Sequence, residues 1–347
     1  MTPVAITEHV AKSLRHTTFY LAAGPKDGPP LLFLHGWPEL SRSWRHQLPC
    51  FAALGFRVIA PDMRGYGRSS VYAAHGDYAQ EPIVADMLEL ADALGIGKAV
   101  WVGHDWGSPV VWNLASHHPE RCHAVANLCV PYAALDHGWE FTLSLVDRRI
   151  YPEDKFPYGQ WEYIRFYEEN FEKATKVLEA NPYNTVRALF RKGNPADQGK
   201  PSRTAFVRQA GGWFGGAGAA PEFPHDPDVA TEEDLLAYAA ALQRNGFFGP
   251  DSWYMNMAAN AAYSARATNG GRLDLPVLFL EAQYDYTCET HTSRLADPMR
   301  AQCRNLTYHT IQSGHWMAQE RPLEVNAALA QWLATKVPGV WPVPRKG

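Results

Sequence analysis

The segment from Gly103 to Gly107, Gly-His-Asp-Trp-Gly, places a carboxylate between flanking glycines. It follows an apolar run at residues 99–102 and precedes a helical pattern at residues 109–115. In a tight strand-to-helix turn of this kind, the glycines allow close packing and the central side chain is exposed for reaction. A carboxylate there can attack an sp³ carbon that bears a leaving group and form an alkyl ester. The segment therefore predicts Asp105 as a nucleophile, with helix capping by Asp105 as the alternative.

Two more side chains occur in the order that would complete a nucleophile, acid and histidine set. Asp285 follows an apolar run at residues 276–280, and His315 follows the next run at residues 306–311. His315 would activate water against the ester, while Asp285 would orient the imidazole and stabilise its charged form. Glu281 is the alternative acid, but its place at the end of the run puts it closer to the core. This order favours a catalytic set over helix capping.

Backbone N–H groups beside the nucleophile could stabilise an oxyanion on its carboxyl group. The segment His35-Gly36-Trp37-Pro38 follows another apolar run and forms a loop at the same end of the predicted sheet. One donor would be the N–H of Trp37, and the second would be that of Trp106, the residue after the nucleophile. We predict His35 itself to be a buried structural histidine.

Short apolar runs alternate with helical patterns in the first and last thirds of the chain, which predicts βαβ units and an α/β class with a mostly parallel sheet flanked by helices. The predicted strands are at residues 31–34, 56–60, 99–102, 121–130, 276–280 and 306–311, and the predicted helices at residues 82–94, 109–115 and 322–333.

The middle third lacks strand-like runs and contains helical stretches at residues 161–178 and 231–245. A glycine-rich loop at residues 211–216 neither follows a strand nor opens a helix, so a mobile lid connection is favoured over a phosphate-binding loop. The layout predicts a sheet domain interrupted by a helical cap. Its boundaries are residues 1–131 for the first part of the core, 132–271 for the cap and 272–347 for the second part of the core.

Composition narrows the classes of protein. The chain has 347 residues, and its 32 Lys and Arg against 36 Asp and Glu give a net charge of −4, which provides no basic footprint for nucleic acid. Hydrophobic residues make up 46%, enough for a buried core. The excess of 12 Trp, 16 Tyr and 15 Phe has no explanation in composition alone.

Several features bear on location and cofactors. The five cysteines are scattered without a C-x-x-C pair, which argues against a disulfide framework or a zinc site. Residues 1–15 lack the apolar core of a signal peptide, and no apolar run reaches the about 18–20 residues of a membrane span. The C-terminal Arg345-Lys346-Gly347 is not the Ser-Lys-Leu peroxisomal signal. We expect a cytoplasmic protein without metal or cofactor; oligomeric state is not determined by the sequence.

On these motifs, from about residue 20 to 335, the chain resembles the soluble epoxide hydrolases of the α/β-hydrolase superfamily. Because only about thirty residues precede the first motif, we expect no N-terminal phosphatase domain like that of vertebrate members and a compact layout closer to microbial and plant members. The resemblance implies an inserted cap over the sheet, and hydrolysis of a small apolar epoxide by water to a vicinal diol through an alkyl ester on Asp105.

The resemblance also implies two cap tyrosines that hydrogen-bond the epoxide oxygen and protonate it. Tyr254 matches the second by its flanking Gly-Pro, Trp and Asn, and Tyr163 matches the first, with Tyr158 and Tyr167 as alternatives. An apolar pocket over the nucleophile would account for part of the aromatic excess. Its expected lining residues are Trp213, Phe214, Phe247, Phe248, Trp253, Met255 and Trp316.

Two other functions are compatible with parts of this pattern. A haloalkane dehalogenase shares the Asp nucleophile but binds halide through indole or amide N–H groups, and many have Asn where this chain has Trp37. Fluoroacetate dehalogenases typically have Arg where this chain has Trp106. A non-catalytic binding protein of the same fold commonly loses a member of the catalytic set, whereas all three are present here. An esterase is disfavoured because a carboxylate is a poor nucleophile toward esters.

Overall fold

Residues 4–342 are described by a computed structural model, so predictions that concern residues 1–3 or Arg345-Lys346-Gly347 lie outside the described residues. An eight-stranded sheet forms the centre, in the order β1-β2-β4-β3-β5-β6-β7-β8. The pairs β1–β2 and β2–β4 are antiparallel, and all pairs among β3 to β8 are parallel. The strands are β1 (Thr7–Lys12), β2 (Thr17–Ala23), β3 (Pro30–Leu34), β4 (Arg57–Pro61), β5 (Ala99–His104), β6 (Cys122–Leu128), β7 (Leu273–Ala282) and β8 (Cys303–Ile311).

Helices lie along the sheet and above one end of it. The α-helices are α1 (Gln47–Ala53), α2 (Gln80–Ala93), α3 (Gly107–His117), α4 (Trp139–Ser144), α5 (Glu162–Glu179), α6 (Pro182–Leu189), α7 (Glu232–Asn245), α8 (Phe248–Ser252), α9 (Met257–Ser264), α10 (Asp297–Gln302), α11 (Met317–Glu320) and α12 (Pro322–Lys336). The predicted α/β class with a mostly parallel sheet is confirmed.

The central strands form where the sequence is continuously apolar. All six residues of β5 are buried, and β3 and β6 are buried over most of their length. A strand covered by helices on both faces has no solvent-facing side, so its residues need not alternate between apolar and polar. Because β3, β5, β6, β7 and β8 pair in parallel, their carboxyl ends lie at the same edge of the sheet. The polar side chains that follow β3, β5, β7 and β8 meet there, where the connecting loops begin.

Between β6 and β7 the described elements are all helical, as the sequence predicts for a cap. Its last α-helix, α9, contacts the core: Asn260 Oδ1 accepts a hydrogen bond of 2.9 Å from the backbone N–H of Gln80 in α2. The boundaries at residues 132 and 271 stay a prediction. Within residues 4–342, none of the helices combines the length and hydropathy that a bilayer span requires. All five cysteines are free thiols.

Candidate active site

Asp105 occupies the turn between β5 and α3 in a conformation that few non-glycine residues adopt. Its φ is +49°, in the left-handed region, where strain commonly accompanies a functional role. The neighbouring backbone leaves no space for side chains: a Cβ on Gly107 would lie 2.2 Å from the carbonyl oxygen of Leu34, and one on Gly36 would lie 2.3 Å from Asp105 Oδ1. Glycine at these positions therefore allows two loops to converge on the Asp105 carboxyl group.

The predicted acid and histidine converge on the same carboxyl group. His315 Nε2 lies 3.3 Å from Asp105 Oδ2, and His315 Nδ1 lies 2.7 Å from Asp285 Oδ2. The other oxygen of Asp285 accepts hydrogen bonds from the backbone N–H groups of Thr287 and Cys288, at 3.2 and 3.3 Å. Both sides of the Asp285 carboxyl are thus held, and its orientation toward the imidazole is set by the loop after β7.

Glu281, the alternative acid, is buried elsewhere. Its two oxygens accept hydrogen bonds from the hydroxyls of Thr290 and Thr310, at 2.8 and 2.6 Å. The structure thus gives Glu281 partners in the core and Asp285 the contact with His315.

The charges at this site stabilise one another. Burial disfavours an imidazolium, but Asp285 and Asp105 outweigh burial and raise the pKa of His315 well above its ordinary value. Burial likewise raises the pKa of Asp285, but the charge and hydrogen bond of His315 outweigh it, so that this pKa lies below its ordinary value. The side chains of Asp285 and Asp105 thus favour the imidazolium form of His315 between them.

One of the two predicted oxyanion donors makes its contact directly. The backbone N–H of Trp37 donates to Asp105 Oδ1 at 2.6 Å. The N atom of Trp106 borders the same space, since it lies 2.6 Å from where a Cβ on Gly36 would be. His35 is buried and structural: its Nε2 accepts from the backbone N–H of Met63 at 2.9 Å, and burial lowers its pKa.

A buried ion pair beneath the site was not predicted from the sequence. His104 Nδ1 lies 2.8 Å from Glu39 Oε2, and His104 Nε2 lies 2.8 Å from the carbonyl oxygen of His315. Glu39 Oε2 also accepts the backbone N–H of Gly36 at 3.0 Å. Despite burial, Glu39 raises the pKa of His104 to about 10, and His104 lowers that of Glu39 to about 2. Glu39 follows the His35–Pro38 segment directly, but nothing in the sequence distinguishes it from a surface carboxylate.

This pair predicts a pH dependence of stability. Because folding raises the pKa of His104 from 6.5 to about 10, its contribution is complete below pH 6.5 and is lost as the pH rises through about 10. Urea unfolding at several pH values should show the free energy of unfolding falling across that interval. A His104→Gln variant should be less stable at pH 7 and show a shallower decline. Equal slopes in the two proteins would contradict the assignment.

His104, Cys129 and His315 form the one group within residues 4–342 whose ligand atoms are close enough to hold a metal ion together. In the present arrangement these side chains are engaged in hydrogen bonds. Cys129 Sγ and His104 Nε2 both contact the carbonyl oxygen of His315, at 3.1 and 2.8 Å. Their shared role in this geometry is to hold the backbone of the loop that carries His315.

The two tyrosines matched in the sequence lie over Asp105. Tyr163 on α5 and Tyr254, just after α8, have ring centroids 5.5 Å apart, and both line the cavity that contains Asp105. Neither hydroxyl has a hydrogen-bonding partner among the described residues, so both are free to bind a ligand. Burial, more than any nearby charge, raises the pKa of both phenols well above 10. Both are therefore proton donors at neutral pH.

The competing tyrosines have other contacts. The hydroxyl of Tyr167 accepts a hydrogen bond of 3.0 Å from Trp213 Nε1, and its ring stacks on Tyr254. Tyr158 packs against Trp139, 5.1 Å between centroids, away from the cavity. Of the three candidates for the first cap tyrosine, Tyr163 is the one that lines the cavity.

A cavity of about 930 Å³ separates the cap from the sheet edge. Its lining includes Asp105, Asp285, His315, Tyr163 and Tyr254. Of the seven predicted pocket residues, Trp213, Phe214 and Trp316 line it. The cavity is large enough for a drug-sized molecule, and its lining combines aromatic side chains with charged and polar ones.

The other four predicted pocket residues, Phe247, Phe248, Trp253 and Met255, do not line this cavity, which corrects the prediction for them. Phe247 is completely buried in the hydrophobic core, and Met255 is partly buried against the same core. Phe248 stacks on His75, and Trp253 Nε1 donates to the carbonyl oxygen of Arg64 at 3.2 Å. Their contacts are with buried or half-buried residues; Trp253, for example, also packs against the ring of Trp106, 6.2 Å between centroids.

Comparison with known proteins agrees with this fold. Residues 29–322 match the family model of the alpha/beta hydrolase fold, and the chain belongs to that family. Epoxide hydrolase A of Mycobacterium tuberculosis is 35% identical over 90% of this chain and 92% of its own length. Within the α/β-hydrolase fold, the chain thus belongs to the epoxide hydrolases, which confirms the resemblance identified in the sequence.

Two further comparisons extend this result. Bifunctional epoxide hydrolase 2 of Sus scrofa is 32% identical over 89% of this chain; the chain spans about half, 52%, of the length of that relative. The crystal structure of epoxide hydrolase A from Mycobacterium thermoresistibile superposes with a TM-score of 0.78 and 31% identity, covering 95% of this chain and 99% of that one. The likeness therefore includes the cap as well as the sheet.

Proposed function

We propose that this protein hydrolyses a small apolar epoxide to a vicinal diol through a covalent ester on Asp105. The observation that carries the proposal is the composition of one cavity. It brings a carboxylate, a histidine–aspartate pair and two phenols without hydrogen-bonding partners among the described residues to the same point. The names of the relatives support the same reaction.

In the first step, Asp105 Oδ2, which lies 3.3 Å from His315 Nε2, attacks one carbon of the epoxide ring, while Oδ1 stays bound to the N–H of Trp37. The ring C–O bond breaks, and the oxygen that leaves takes a proton from Tyr163 or Tyr254. Their hydroxyls bind that oxygen from the cap side, so the developing negative charge is stabilised as it forms. The product of this step is a hydroxyalkyl ester of Asp105.

In the second step, water attacks the ester. Alkylation removes the negative charge of Asp105, which is one of the groups that raise the pKa of His315. The imidazolium then gives up a proton, which restores the phenol, and His315 becomes a base for water. Water adds to the carboxyl carbon, the N–H of Trp37 stabilises the oxyanion on Oδ1, and the acyl C–O bond breaks. His315 protonates the departing diol oxygen, and the new carboxylic acid of Asp105 then passes its proton to His315, which restores the starting ion pair.

A haloalkane dehalogenase is the second candidate because it uses the same nucleophile. Such enzymes often bind halide at the position of Trp106; the indole N–H of Trp37 is engaged here, since its Nε1 donates to Asp251 at 2.9 Å. The two free phenols favour epoxide oxygen as the group bound opposite Asp105.

Parallel assays with styrene oxide and with a 1-haloalkane separate the two candidates. We expect diol from styrene oxide and no halide release from the haloalkane, measured by chromatography and by ion-selective electrode. Halide release without diol formation would overturn the proposal. Absence of both products would favour the third reading, a binding protein of this fold without activity.

A further inference from the structure

Asp251 is a completely buried carboxyl group in the cap that the proposed reaction does not use. It lies in α8, three residues before Tyr254. Its Oδ1 accepts a hydrogen bond of 2.9 Å from Trp37 Nε1, and its Oδ2 lies 2.9 Å from the hydroxyl of Thr175 in α5. One side chain thus connects the loop after β3 to two helices of the cap. A buried polar group of this kind is costly unless it is fully hydrogen-bonded, so its presence here requires a physical reason.

We propose that Asp251 is a positioning residue that holds the backbone N–H of Trp37 against the Asp105 carboxyl group through the Trp37 indole. This inference rests on the proposed function, because it assigns Asp251 to the hydrolysis of the Asp105 ester.

Trp37 is fixed at both of its ends. Its backbone N–H bonds Asp105 Oδ1 at 2.6 Å, and its indole N–H bonds Asp251 Oδ1. The indole also stacks on Trp213, 5.7 Å between centroids and 19° between planes, and meets the ring of Tyr254 edge-on at 5.9 Å. The two aromatic contacts depend weakly on the exact position of the indole, whereas the hydrogen bond to Asp251 is directional. The hydrogen bond to Asp251 therefore fixes the position of the Trp37 indole relative to Trp213 and Tyr254.

The same carboxyl group is adjacent to a second hydrogen bond of the cap. Tyr167, whose ring stacks on Tyr254 at 4.9 Å, accepts a hydrogen bond from Trp213 Nε1 and interacts with Asp251. Trp213 belongs to the glycine-rich loop at residues 211–216. Asp251 thus connects the loop that carries Trp37 to α5 and, through Tyr167, to the glycine-rich loop.

Electrostatics favours the neutral form of this carboxyl group. Burial raises the pKa of Asp251 to about 8, opposed by the hydrogen bonds of Trp37 and Thr175 and assisted by the nearby carboxylate of Glu179. The other titratable groups that face it are Tyr66 and Tyr167, whose pKa values burial raises well above 10. Asp251 accepts hydrogen bonds from the Trp37 indole and from the Thr175 hydroxyl. An asparagine can still accept from the indole through its oxygen, and its amide N–H can donate to the Thr175 oxygen, because a hydroxyl also accepts.

The two steps of the reaction should depend to different degrees on the position of the Trp37 backbone N–H. An oxyanion forms on Asp105 Oδ1 when water attacks the ester, whereas the alkylation step develops its charge on the epoxide oxygen beneath the tyrosines. Displacing the Trp37 N–H should therefore slow dealkylation and leave alkylation nearly unchanged. Ionisation of Asp251 would place a negative charge near the developing oxyanion, so dealkylation should decline as the pH rises through about 8.

Rapid-quench mass spectrometry with styrene oxide measures both steps. We expect Asp251→Leu to slow dealkylation by about tenfold or more while alkylation changes by less than about threefold, so that alkylated Asp105 accumulates. Asp251→Asn, which keeps both hydrogen bonds, should restore dealkylation at pH 7 and remove the decline near pH 8. Trp37→Phe deletes the same hydrogen bond from the other side and should give the same selective defect, without adding to that of Asp251→Leu.

Wild-type dealkylation in Asp251→Leu, or equal slowing of both steps, would overturn the inference. If Asp251→Leu does not fold, Trp37→Phe decides: unchanged dealkylation in that variant would overturn it, and a selective defect would support it. The wild-type enzyme serves as the control for the underlying reaction. A wild-type protein that forms no diol would contradict the proposed function, whereas an active wild type with unaffected variants would contradict only the role of Asp251.

Discussion

A His315→Gln variant is expected to stop turnover after the first step and to leave one substrate molecule attached to Asp105. Glutamine can fill part of the imidazole volume but cannot accept a proton from water, so the ester persists. Steady-state diol formation should fall by about 10³-fold or more. Mass spectrometry of the quenched protein, followed by peptide mapping, should locate the added mass on Asp105.

Two variants serve as controls for this experiment. His309→Gln changes an exposed histidine of β8 and should retain wild-type turnover. Asp105→Ala should show no adduct under any condition. An unmodified Asp105 in the His315→Gln variant, with substrate still consumed, would rule out a covalent ester and with it the two-step reaction.

Removing both cap phenols should have the second large effect. In the double variant Tyr163→Phe with Tyr254→Phe, no acid remains to protonate the epoxide oxygen, and a general acid of this kind contributes about 10²–10⁴-fold to rate. We expect the alkylation rate to fall by that amount. Each single variant should lose less, because the second phenol still binds the oxygen. Single-turnover measurement of the Asp105 adduct gives the rate directly.

Tyr158→Phe is the matched control, since Tyr158 lies away from the cavity and makes its contacts with other cap side chains. It should alkylate at the wild-type rate. Retention of fast alkylation in the double variant would show that the epoxide oxygen is protonated by another group. A loss in Tyr158→Phe comparable to that in Tyr163→Phe would show that the cap responds to any change of tyrosine.

The parts of the fold that the sequence predicted are those whose signals are local. β3 to β6 are buried on both faces, so each appears as an apolar run with a turn at its end. The hairpin of β1 and β2 was not predicted. β1 is exposed along nearly its whole length and therefore has neither an apolar run nor an alternating pattern. Its pairing with β2 depends on the edge that the rest of the sheet offers.

Local sequence also does not indicate which aromatic residues of the cap line the cavity. Trp213 and Trp253 are both cap tryptophans in aromatic, glycine-containing segments, so the same prediction followed from the sequence for both. In the structure, Trp213 lines the cavity and stacks on Trp37, while Trp253 is directed into the core. Which way a side chain points depends on the path of the backbone across the cap, and no local pattern records that path.

The amino-acid sequence by itself determined the strand–turn–helix segment around Asp105, the order of acid and histidine after it, and the helical character of the inserted cap. These features depend on residues that are close in sequence, because glycine spacing and apolar runs restrict the local backbone conformation. Only the tertiary structure decided which tyrosines face Asp105, which aromatics line the cavity, and that Asp251 reaches Trp37 across 214 positions of sequence. A hydrogen bond of that separation forms because packing of the cap on the sheet brings both groups together away from water.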